Sequence, residues 1–302
     1  MLSDDKDLRD VQNEALSIYK SFADICSVLG LRYYASGGTL IGAILYRGFI
    51  PFDDDLDINM PREDYERFKK EAPDLLPPYL SIFDGLTSSH ADYHFTKLHD
   101  KRTTYTANQL LRFPDCYTGA FIDIEPIDGV PDNQQERECW YKTIEQLYCY
   151  DLIRKFGKTY MYPDTIAWLQ PNRFKRALVY AWIQMHPLRF YANRYMTMQT
   201  DMNRRCDFDQ STYVSWPRYG MYRSRNYWKT LKSSWDTYSE VPFEDSTIRV
   251  PDGYENILTS QYGFMPTNET QERYEREQQD SHHIVNALVD LNRPYTYYQE
   301  CQ

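Results

Sequence analysis

Four carboxylates fall within five positions, at Asp53, Asp54, Asp55 and Asp57. Like charges packed this closely repel unless something positive sits among them, and a bound divalent cation is the natural candidate. From Asp55 the pattern alternates polar and apolar through Leu56, Asp57 and Ile58. An extended strand sends Asp55 and Asp57 to one face and Leu56 and Ile58 to the other. Two carboxylates side by side on a rigid strand suit an oxygen-loving ion such as Mg2+ or Mn2+. An EF-hand calcium loop fits poorly, because it needs glycine at its sixth position and counting from Asp53 puts Ile58 there. A solvated acidic turn is the plain alternative.

The elements around these acids would have to hold them. Residues 31–35 suit a short strand that runs into Ser36-Gly37-Gly38-Thr39, with Thr39 as the cap of a helix over residues 40–46. Glycines at a strand-to-helix turn let backbone amides approach a phosphate, so Gly37, Gly38 and Thr39 are candidate phosphate contacts. Upstream, Leu8, Val11, Ala15, Ile18, Phe22, Ile25 and Leu29 form one apolar helical stripe, with Gly30 as its stop. Downstream, Pro61 suits the start of a helix that carries Glu63 and Asp64 in its first turn and Lys69 and Lys70 in its last, before Pro73. Residues 80–83, 93–98 and 103–106 read as strands of a mixed sheet. Residues 120–125 read as another, in which Asp123 lies between apolar neighbours and so is directed at something; a cap or a core pair is the duller reading.

A chain of 302 residues makes one large or two ordinary domains. The texture divides it into residues 1–130, which carry the acids and the strands, and a mainly helical region over 131–302 expected to complete a cleft around them. A formal net charge of -10 argues against bulk nucleic-acid binding, which needs a basic face. The six cysteines fall in no C-x-x-C pair and no leader precedes them, so reduced thiols and a cytoplasmic setting are expected. No apolar run approaches the roughly eighteen residues of a spanning helix. Positive charge is segregated, since residues 165–200 and 210–235 contain no Asp or Glu. In the first window, Arg173 and Arg176 with Tyr180 and Trp182 have the composition of a helix lying on a membrane surface; a helix packed on the sheet is the commoner use. In the second, Arg218, Arg223, Arg225 and Lys229 are candidates to reach a diphosphate. His90 and His94 have a zinc-like spacing but straddle a loop and a strand, with no third ligand nearby.

A phosphate-accepting glycine turn, two strand carboxylates and a third on a neighbouring strand are the parts for phosphoryl or nucleotidyl transfer. They match an α+β, nucleotidyltransferase-like fold: a mixed sheet with flanking helices.

The run Gly37-Gly38-Thr39-Leu40-Ile41-Gly42-Ala43, then 47–58 and Pro61-Arg62-Glu63-Asp64-Tyr65, resembles the signature of the LicD family. That family includes bacterial phosphocholine transferases and the animal fukutin and fukutin-related proteins. The likeness continues in residues 95–98, 121–128 and 250–254, with Phe52 standing where the family commonly has tryptophan. The resemblance implies transfer of a phospho-substituent from a CDP-linked donor, CDP-choline first among them, to a sugar hydroxyl, with release of CMP. The acceptor would be a surface glycan such as lipopolysaccharide or teichoic acid, or its free or lipid-linked precursor, at the inner face of the membrane. It assigns Asp55 and Asp57 to the metal, Asp53 as a nearby third ligand or an acid just behind the ligands, Asp123 as the third catalytic carboxylate that also helps to hold the metal, and Lys97 to a phosphate. A quaternary ammonium donor would need an aromatic enclosure, and the chain has 28 tyrosines. A nucleotidyltransferase releasing pyrophosphate, and a non-catalytic partner in glycan assembly, are the other readings.

Overall fold

The computed structural model describes residues 5–157, 173–216, 229–270 and 286–300. Helix α1 (Asp5–Leu29) buries Val11, Ala15, Ile18, Phe22 and Ile25 along one stripe. It stops where Gly30 takes φ +64, a left-handed angle that a side chain resists, and Leu31 N donates back to Cys26 O at 2.8 Å.

Next come β1 (Tyr34–Ala35), α2 (Gly37–Leu45), β2 (Asp57–Pro61) and α3 (Arg62–Glu71). The helix expected behind a Thr39 cap begins instead at Gly37, after Ser36. Gly37 reaches φ +50, so the chain turns into the helix earlier. Thr39 Oγ1 is thereby free to accept from Asp57 N at 2.9 Å. The acidic strand also starts later than its alternation suggests, with Asp53, Asp54 and Asp55 in irregular chain before it. The β1 register ends at Ala35↔Ile58 and the β6 register at Asp57↔Asp123, with a last backbone bond from Asp123 N to Leu56 O at 2.9 Å. Helix α3 opens with Glu63 and Asp64 and closes with Lys69 and Lys70, matched to the helix dipole.

Strands β3 (Leu80–Asp84), β4 (Thr96–Asp100), β5 (Thr104–Ala107) and β6 (Phe121–Val130) follow. The main sheet has the order β1-β2-β6-β4-β3, in which β2 and β6 are parallel and the other neighbours antiparallel. Ile58, Met60, Leu98, Ile122 and Ile124 from its central strands pack with Ala15, Ile18 and Phe22 of α1. The fold is therefore α+β, a mixed sheet flanked by helices.

Residues beyond 131, expected to be mainly helical, carry α4 (Gln134–Phe156), α5 (Arg173–Gln184) and α6 (Phe190–Arg205), then β7 (Tyr213–Ser215) and β8 (Lys229–Leu231). A hairpin of β9 (Tyr238–Phe243) and β10 (Ser246–Pro251) leads to α7 (Tyr254–Tyr262), β11 (Ala287–Asp290) and α8 (Tyr295–Glu300). β2 pairs with β6 only as far as Ile127, and β7 takes the next residues, Asp128 to Val130. β11 pairs with β5. A second apolar cluster joins Trp140, Tyr141 and Ile144 of α4 to Ala192, Tyr195 and Met202 of α6.

Candidate active site

β2 and β6 run parallel in the register Asp57↔Asp123, and β4 sets Lys97 opposite Asp123. Ile58, Leu98, Ile122 and Ile124 are committed to the core, so the period of two leaves Asp57, Asp123 and Lys97 on the other face. Asp55 joins them from the chain just before β2. One carboxylate oxygen from each of Asp55, Asp57 and Asp123 lies within 4.8 Å of the others, and Asp53, Asp54 and Asp55 meet the same limit. The donor atoms are all carboxylate oxygens, a set that fits a hard divalent cation such as Mg2+ or Mn2+.

Electrostatics sharpen this fit. Burial, then the charges of Asp57 and Asp54, pushes the Asp53 carboxyl up to about 7. Burial, followed by Asp57, Asp53, Asp54 and Asp123, raises Asp55 well above the usual carboxylate range. Acids crowded against their own ionisation are what a bound cation relieves.

Distant elements hold the acidic chain in place. Gln12 Nε2 on α1 donates to Asp53 O at 2.7 Å, and Tyr105 Oη on β5 donates to Asp54 Oδ2 at 2.6 Å. The glycine pair expected to face a phosphate lies against these carboxylates. A Cβ on Gly37 would sit 2.9 Å from Asp57 Oδ2, and one on Gly38 would sit 2.3 Å from Asp53 Oδ2. Glycine is thus what lets the first turn of α2, with its positive dipole end, approach the acids. Lys97 Nζ, expected on a phosphate, donates to Asp123 Oδ1 at 2.7 Å. Arg223, like Arg218 and Arg225, lies outside the described residues. Lys229 heads β8, toward the Asp128 end of β6. His90 and His94 are held by different acids, Asp115 and Asp151, each at 2.8 Å or less.

Asp55, Asp123, Lys97, Tyr93, Phe95 and Phe121 line a cavity of about 430 Å³. A cavity of about 400 Å³ beside α3 and α6 contains none of Asp53, Asp55, Asp57 or Asp123 in its wall. Sequence reasoning missed Gln12, Tyr105, Tyr93, Phe95 and Phe121. For Phe121 a signal existed, two residues before Asp123 on one strand; the strand expected over 93–98 begins only at Thr96, so Tyr93 and Phe95 reach the cavity from the chain before β4. Such a site, with acids for a cation, a lysine and a cavity of ligand size, can stabilise a phosphoryl or nucleotidyl group in transfer.

Known proteins are similar in sequence to this chain. The profile of the family described as LicD/FKTN/FKRP, nucleotidyltransferase domain, matches residues 30–146, which contain every acid of the site. The lipopolysaccharide cholinephosphotransferase LicD of Haemophilus influenzae is 26% identical over 299 residues, spanning 93% of this chain and 98% of that protein. The uncharacterised proteins RT0683 of Rickettsia typhi and RP689 of Rickettsia prowazekii are 40% identical over 65 residues and 43% over 63. Each of those alignments covers 20% of this chain, and 21% and 24% of the respective relative.

Proposed function

Because residues 30–146 match the LicD/FKTN/FKRP domain and the chain aligns almost end to end with a LicD cholinephosphotransferase, we propose that it is a metal-dependent transferase of the LicD family. It moves phosphocholine from CDP-choline to a sugar hydroxyl of a lipopolysaccharide-type glycan or its precursor and releases CMP. The observation that carries this reading is the convergence of Asp55, Asp57 and Asp123 within 4.8 Å, in a chain aligned almost end to end with a cholinephosphotransferase.

Asp55 and Asp57, with Asp53 beside them, would hold Mg2+ or Mn2+, which supplies charge neutralisation on the phosphates. Asp123 orients the acceptor hydroxyl and takes its proton as the oxygen attacks the phosphorus distal to the nucleoside. The new bond joins that oxygen to phosphorus, and the bond to the CMP phosphate breaks. Lys97, 2.7 Å from Asp123, is the ammonium within reach of the transferred group. Among the described residues no helix is long and apolar enough to cross a membrane. Helix α5 exposes Phe174, Leu178 and Trp182, which supports work at the cytoplasmic membrane face, where a lipid-linked acceptor would be met.

The description of the matched family domain as a nucleotidyltransferase keeps a second reading open, attack at the nucleoside phosphorus with release of pyrophosphate. One experiment separates the two. Purified protein is given CDP-choline, CDP-ribitol, CDP-glycerol or nucleoside triphosphates, with a glycan acceptor and Mg2+ or Mn2+. CMP released from CDP-choline, and lost on chelation, is the expected result. Pyrophosphate from a triphosphate without any CMP would replace it with the second reading.

A further inference from the structure

Lys97 places its ammonium among three aromatic rings. Nζ lies 3.2 Å from the ring centroid of Phe121, 4.8 Å from that of Tyr93 and 5.6 Å from that of Phe95. The Tyr93 and Phe95 rings are 4.8 Å apart and inclined by 31°, and Tyr105 backs Phe121 at 5.0 Å. Ring faces carry partial negative charge, so the point where they meet favours a cation. Asp55 and Asp123 in the same cavity wall add to that potential. The lysine therefore marks a cation position built by its neighbours, and it does so inside the cavity that Asp55 and Asp123 line.

The chemistry of the group that would fill this position is constrained. A primary ammonium needs acceptors for its N–H groups, as Lys97 finds in Asp123 Oδ1. A trimethylammonium has no N–H, so ring faces recognise it better than oxygen acceptors do. Lys97 sits on a flexible four-carbon stem and is able to move its charge toward a phosphate.

We propose that Tyr93, Phe95 and Phe121 enclose the trimethylammonium of the donor, and that the Lys97 ammonium gives way to it by turning to the phosphates. This rests on the phosphocholine reading and adds the residues that select choline over neutral or primary-amine donors.

The test is equilibrium titration of the full-length protein with CDP-choline, with its uncharged 3,3-dimethylbutyl isostere, with CDP-ethanolamine and with CMP. Wild type is expected to prefer CDP-choline to the isostere by about thirtyfold, as desolvated cation–π contacts allow. Phe121→Leu and Tyr93→Leu should each cut that preference to about threefold, while CMP binds as before and Phe121→Tyr keeps the preference. Phe95→Leu, at a half-buried position, makes the same measurement if either of the other substitutions fails to fold. A preference that survives the leucine variants overturns the enclosure. Equal weakening of CMP and CDP-choline also overturns it, since the rings would then hold the base. Wild type that turns over CDP-choline yet binds it no better than the isostere defeats the enclosure alone. Wild type that ignores CDP-choline but turns over another CDP donor defeats the phosphocholine reading as well.

Discussion

Two sets of buried acids in this protein have opposite surroundings. Asp128 accepts a two-pronged hydrogen bond from Arg62, at 2.7 Å to Oδ1 and 2.8 Å to Oδ2. Asp151 accepts from His94 Nε2 at 2.7 Å and pairs with Lys155 at 2.8 Å. Burial alone would raise the Asp151 carboxyl, but His94 and Lys155 together hold it below the ordinary value. Asp53 and Asp55 are also pushed up by burial, and the acids around them push further in the same direction. Asp53 and Asp55 are half-buried where Asp128 and Asp151 are fully buried, so it is the neighbours and not greater depth that set them apart. An acid that serves the fold is neutralised by the fold; one that gains little from its neighbours points to a partner from outside.

The comparison breaks most visibly through Asp57. Asp57→Ala should lower the rate constant for CMP release by about a thousandfold or more, with circular dichroism unchanged and, without divalent cations, melting no lower than wild type. Turnover that persists in this variant would place the acidic set outside the chemistry. Asp151→Ala should behave in the reverse manner, leaving Lys155 buried without its counter-charge. A loss of about 3–5 kcal/mol in urea unfolding is expected; a loss within 1 kcal/mol would mean that the pairing is not what sustains the site.

Titration sharpens the contrast, because the acidic set and a buried base give slopes of opposite sign. Burial lowers His99 from 6.5 to about 4, and its Nδ1 accepts from Gly119 N at 3.2 Å. The unfolded chain takes up this proton first, so stability is complete above pH 6.5 and drains away as pH falls toward 4. The loss should reach about 3 kcal/mol, and His99→Asn, which keeps an acceptor, should flatten that part of the profile. The opposite slope comes from Asp53, whose carboxyl is raised from 3.8 to about 7. Here the folded chain holds the proton longer, so without divalent cations stability falls as pH rises from 3.8 to about 7. Asp53→Asn should therefore melt higher than wild type at pH 8 and alike near pH 4; an unchanged melting point at pH 8 would mean the acids are not in conflict.

The local pattern made much of this legible. Alternation through Leu56, Asp57 and Ile58, and through Ile122, Asp123 and Ile124, is a property of an extended chain, and it places apolar and acidic residues on opposite faces wherever the strands lie. The amphipathic stripe of α1, the Gly30 stop and the charged ends of α3 follow for the same reason, since each depends on residues within a turn or two. The start of α2 did not follow, because a backbone angle at Gly37 outweighed the capping preference of Thr39. The tyrosine on Asp54 comes from β5 and the glutamine on the Asp53 carbonyl from α1, across sequence separations of 51 and 41 residues. No spacing rule reaches that far.

The amino-acid sequence by itself determined which residues are acidic, which face Asp57 and Asp123 take on their strands, and the likeness to the LicD family. Only the tertiary structure decided that Asp57 and Asp123 stand side by side, because that requires β2 and β6 to be parallel neighbours in one register. It also decided that the Lys97 ammonium lies among Tyr93, Phe95 and Phe121. The physical reason is range: side-chain direction along a strand is set by covalent geometry within two residues, whereas strand order and register come from burying the whole core at once.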